Sequence, residues 1–126
     1  MTQITLPAEL AKGIEELERE FPGRLSVEPD EAGAIVHISE VQLGAGWTPN
    51  VGVLSFLLPF HYPDAAIYPY HITGAAPDKA SDNALQLVTW RGSPATQVSL
   101  RHNRWNPAYD TALGSVLLTM ARLLRQ

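Results

Sequence analysis

The sequence predicts an α+β domain, an antiparallel meander of about four strands flanked by an N-terminal and a C-terminal helix. Three observations carry this. An apolar stripe at helical spacing opens the chain, and a second one closes it. Between them lie extended apolar runs separated by glycine- and proline-containing turns.

In the first stripe, Leu6, Leu10, Ile14, Leu17 and Phe21 recur every three or four residues. Thr5 is positioned to cap this helix, Pro7 is tolerated in its first turn, and Pro22-Gly23 stops it. Glu15, Glu16, Glu18 and Arg19 occupy its opposite, solvent-facing side. Arg24 to Glu28 alternates and reads as a strand with Leu25 and Val27 on the buried face. After the turn Pro29 to Gly33 comes a second strand, Ala34 to Leu43, and after Gly44-Ala45-Gly46 a third, Val51 to Phe60. The third is the most apolar, which predicts a central position. Tyr70 to Thr73 is a short fourth strand, Gly74 to Ala84 a loop by composition, and Leu85 to Trp90 and Thr96 to Leu100 two further extended pieces. Asp110 or Thr111 caps the last helix, whose apolar positions are Leu113, Val116, Leu117, Met120, Leu123 and Leu124.

With 126 residues, 45% hydrophobic and 17% charged, the chain is expected to form one domain over residues 1–126. There is no cysteine. That excludes disulfides, thiolate metal sites and a thiol nucleophile. No apolar run approaches the length of a membrane span and the first residues carry no secretory pattern, so the expectation is a cytoplasmic protein off the membrane. Residues 1–50 carry nine acids against three bases, and residues 51–126 four acids against six bases. The acidic first half argues against nucleic acid as a partner, and the asymmetry suits charge-steered protein partners.

Tyr62-Pro63 and Pro69 follow the third strand, and Trp105-Asn106-Pro107-Ala108 precedes the last helix. In this order and spacing the chain resembles the ubiquitin-conjugating (E2) superfamily, over about residues 5–126. Ser99 to Trp105, with Asp110 and Leu113, is similar to the bacterial branch known as prokaryotic E2 family E, in which His102 would match a histidine after the active-site position. The resemblance implies an E2 fold and a place in a bacterial ubiquitin-like conjugation pathway.

An E2 carries its cargo as a thioester on a cysteine about eight residues before the tryptophan. That position is Gln97, which cannot form one. The His-Pro-Asn triplet of the family is also missing. The pattern is similar to the cysteine-less E2 variants, which act by binding. The expectation is a catalytically inactive, non-covalent binding or scaffold subunit for a ubiquitin-like protein, an E1-like activating enzyme or an active E2, without cofactor or metal.

Two alternatives stay open. Ser99 or Thr96 could carry the cargo as an oxyester with His102 as base, although no acid in the sequence orients His102. Or a native cysteine was replaced, Ser93, Ala95 and Ser99 being small residues where one would fit. Candidate partner-binding residues are Glu15, Glu16, Glu18 and Arg19 on the first helix, Trp47 in its Gly-Pro-flanked turn, Trp90 and Arg101. His37, His61, His71 and His102 match no metal-ligand spacing and read as hydrogen-bonded or surface histidines.

Overall fold

A computed structural model describes residues 7–64, 66–78, 85–99 and 105–125. The elements are α1 (Ala8–Glu20), β1 (Leu25–Asp30), β2 (Gly33–Gln42), β3 (Trp47–Thr48), β4 (Val51–Pro59), β5 (Tyr70–Thr73), β6 (Ala76–Pro77), β7 (Leu85–Trp90), β8 (Ser93–Val98) and α2 (Ala112–Leu124). The α+β class is as expected. The strand count is not: six strands form one antiparallel sheet in the order β1-β2-β4-β5-β8-β7, and β3 pairs with β6 separately. The meander β1-β2-β4-β5 supplies the expected four. The two pieces read after the loop add a hairpin alongside β5, and Ala76–Pro77 is a short strand inside the segment read as loop.

The register sorts the side chains into two faces. Leu25, Ile38, Leu54, Ile72, Thr96 and Leu87 are successive partners across all six strands, and so are Val27, Val36, Phe56, Tyr70, Val98 and Leu85. The middle of this face is covered by Leu10 and Leu17 of α1 and Val116 and Leu123 of α2, all in one buried core. Toward the edges cover runs out, so Val27 and Leu87 are exposed, and the buried face expected for β1 is only partly realised.

Tyr62-Pro63 and Tyr68-Pro69 carry cis peptide bonds, as does Thr48-Pro49. Tyr62 turns back under α1, and its phenol oxygen accepts the Ala112 N–H at the start of α2. Thr111 caps the same helix, its hydroxyl accepting from the Gly114 N–H at 3.1 Å. Trp105 donates its indole N–H to the Pro63 carbonyl at 2.7 Å, so both proline-aromatic motifs meet between the helices. The Thr5 cap lies outside the described residues, where Pro7 takes the N-cap position without a side-chain bond. A bulge between Ile38 and Val41 puts Glu40 at φ 56, and Arg24 holds the Ser39 and Glu40 carbonyls at 2.9 and 2.8 Å.

Candidate functional site

The face turned away from the helices carries a different row. Ser26, His37, Ser55, His71, Gln97 and Gln86 are direct neighbours across β1, β2, β4, β5, β8 and β7. All six are polar. One residue either way along the strands would exchange this row for an apolar one, so the alternation fixes which face is polar.

Hydrogen bonds organise the row. Glu28 Oε1 lies 2.8 Å from His37 Nε2, and His37 Nδ1 lies 2.7 Å from Ser55 Oγ. A carboxylate accepts, so Nε2 carries a proton, and in the neutral ring Nδ1 accepts from the Ser55 hydroxyl. On the other side of Ser55, His71 is hydrogen-bonded to Gln97, whose amide nitrogen donates to Ser99 Oγ at 3.3 Å. His71 Nδ1 is buried with no hydrogen-bond partner. Burial lowers the His71 pKa, opposed by the bond to Gln97.

The tip of the β7–β8 hairpin folds over this row. Trp90 stacks on His71, ring centroids 4.5 Å apart and planes 12° apart, and meets the His37 ring edge-on at 6.2 Å. Arg91 reaches β1, at the opposite edge of the sheet, and pairs with Glu28 at 3.2 Å and Asp30 at 3.5 Å. The sheet therefore curls until its two edges meet. Arg91 at φ 50 and Gly92 at φ 82 form the left-handed hairpin turn that makes this reach possible. A cleft of about 400 Å³ remains, lined by Glu28, His37, Ser55, Thr73, Trp90, Arg91 and Ser93.

The residues singled out from the sequence are placed as follows. Gln97 lies within β8, paired with His71 and Gln86. Thr96 is 1% exposed on the apolar face, which removes its hydroxyl from reach of an acyl group. Ser99 is half-buried and bonded to Gln97. His102 and Arg101 lie outside the described residues. Trp47 is 3% exposed and belongs to the core, which corrects its reading as a partner contact: its pairing with Pro77 turns the ring inward. Trp90 is half-buried over His71. Glu15, Glu18 and Arg19 stand on the exposed side of α1, with Glu15 and Arg19 paired at 2.7 Å, and Glu16 is half-buried.

A second cavity, of about 190 Å³, opens between α1 and the turn before α2, lined by Glu9, Lys12, Glu16, Tyr62, Tyr109 and Asp110 among others. Tyr109 is 82% exposed at its edge. Among the described residues no cluster of three or more His, Asp or Glu side chains could hold a metal, and no helix is long and apolar enough to cross a membrane.

Sequence reasoning missed the Glu28–His37–Ser55 chain and the stacking of Trp90 on His71. His37, Ser55 and His71 share a face only through strand register, and Trp90 joins them only through the curl of the sheet. Compared with family models, with curated proteins and with the solved structures, the chain matches none.

Proposed function

We propose that this chain is a thiol-free E2-like module of a bacterial ubiquitin-like conjugation pathway, acting by non-covalent contact with a ubiquitin-like protein, an E1-like activating enzyme or an active E2. The observation that carries the reading is the state of position 97: a glutamine inside a paired strand, in a chain without cysteine. The order of helix, meander, Tyr-Pro turns, Trp-Asn-Pro-Ala and helix supports the same resemblance. The docking surface is the acidic side of α1, with Glu15, Glu16 and Glu18, continuing into the cavity beside Tyr109. Its charge suits a basic partner surface, which would steer the encounter at low salt.

The test mixes the purified chain with a ubiquitin-like protein, its activating enzyme and ATP. The expected result is co-elution on a sizing column with no mass added to this chain, and weaker co-elution for the Glu15→Lys, Glu18→Lys double variant. An adduct that resists thiol but is cleaved by hydroxide would replace this reading with oxyester transfer, and Ser99→Ala would then abolish it.

A further inference from the structure

The β7–β8 tip covers an arrangement that is complete except at one atom. Glu28, His37 and Ser55 satisfy one another, and Gln97 satisfies one nitrogen of His71. The other nitrogen, Nδ1, is sealed without a partner. His71 is 7% exposed and Ser55 0%, and the Trp90 ring is stacked on His71. A neutral imidazole tolerates this position, because an unbonded lone pair costs less to bury than a charge. A protonated one does not: its new N–H would be buried at a place that holds no acceptor for it.

What holds Trp90 down is modest. Arg91 pairs with Glu28 and Asp30 across gaps of 3.2 and 3.5 Å on partly exposed side chains. Pairs of this kind are screened by solvent and hold weakly. The remaining hold is the Trp90–His71 stack itself and the hairpin ladder. The ladder to β5 ends at Thr96, so the strand pairing of Ser93 to Ala95 is with β7 alone. The tip can therefore lift without breaking the central sheet.

We propose that the β7–β8 tip is a proton-gated flap, which lies shut over the His37–Ser55–His71 row while His71 is neutral and lifts when His71 Nδ1 takes a proton, opening the cleft and the Glu28-oriented Ser55 hydroxyl to solvent. The groups that face His71 are the Ser55 hydroxyl from β4, the Gln97 amide from β8 and the Trp90 ring from β7, none of which titrates near neutrality. The charged and titratable groups around them are His37 on β2, Arg91 at the tip, and Glu28 and Asp30 on β1. His37 already has both nitrogens bonded, to Ser55 and Glu28.

The experiment follows the Trp90 indole N–H by NMR, assigned with Trp90→Phe, and amide exchange over residues 85–98, from pH 7.5 down to pH 5. In the wild-type chain, exchange at the tip should accelerate by about tenfold beyond its intrinsic pH dependence. Amides of Val36 and Leu54 should stay protected. His71→Phe keeps a stacking ring without a proton site and should hold the tip shut throughout, while His37→Gln should still open. Arg91→Ala should exchange faster at pH 7.5 already. Acid opening that survives in His71→Phe, or a wild-type tip as protected at pH 5 as at pH 7.5, overturns the proposal. If His71→Phe does not fold, His71→Gln replaces it, with the same two outcomes.

Discussion

The Tyr62 phenol oxygen accepts the backbone N–H of Ala112 at 2.8 Å, across fifty residues of sequence. The first N–H groups of a helix have no partner within it. Here a buried side chain from the turn after β4 serves one of them, and the same ring packs against Gly13 of α1. One tyrosine thus ties the Tyr-Pro turn to both helices. Tyr62→Phe leaves the Ala112 N–H buried without an acceptor and is expected to destabilise the fold by about 1–2 kcal/mol. Urea unfolding with an unchanged m-value would measure it. A loss within a few tenths of a kcal/mol would mean that water replaces the phenol there.

Tyr70 makes an alkaline prediction. Its hydroxyl lies 2.6 Å from Ser115 Oγ of α2, and burial pushes its pKa from 10.0 up to about 12. Below pH 10 the phenol is neutral both folded and unfolded, and stability is complete. Between pH 10 and about 12 the unfolded chain releases its proton first, so stability falls through that window. Tyr70→Phe should lose part of this fall, along with the bond to Ser115. Denaturant midpoints at pH 8, 10 and 11 for both chains check it. Parallel curves would place the alkaline loss elsewhere.

How far the sequence carried depends on the kind of information. Both helices and the four strands β1, β2, β4 and β5 follow from local patterning, and their bounds agree within a few residues. β8 begins at Ser93, ahead of the expected Thr96, and so takes in Pro94, which has no N–H for a ladder. It fits because β5 stops pairing at Thr96, leaving that side of Pro94 without a ladder to complete. Trp47 read as a turn aromatic because its two-residue pairing with Ala76–Pro77 is a contact thirty residues away. Gln97 could be located from sequence, but its neighbours His71 and Gln86 could not, since they depend on register between strands distant in the chain. The open-face row was illegible for the same reason.

Gly33 makes a steric prediction. It stands at φ 156, and a Cβ there would come within 2.1 Å of the Leu58 carbonyl oxygen. That atom is backbone of the adjoining strand and cannot step aside without breaking the β2–β4 ladder. Gly33→Ala is expected to cost about 3 kcal/mol or more. Gly23, at φ 74 with open space around it, controls for backbone strain alone, and Gly23→Ala should cost only about 1 kcal/mol. Equal losses from the two, measured by chemical denaturation, would show that the sheet yields at Leu58.

His71 predicts an acid limb of opposite sense to that of Tyr70. Desolvation lowers its pKa below 6.5 in the folded chain. Above pH 6.5 the ring is neutral folded and unfolded, and stability is full. As pH falls below 6.5 the unfolded chain takes the proton first, so stability drops, and the drop is complete once pH is below the folded value. His71→Gln cannot titrate and should have a flatter stability curve between pH 7 and pH 5. The comparison needs His37→Gln beside it, because that ring is the second imidazole on the same face and sits against Glu28. If the His37 variant flattens the curve and the His71 variant does not, the ring stacked under Trp90 is not the one that senses acid.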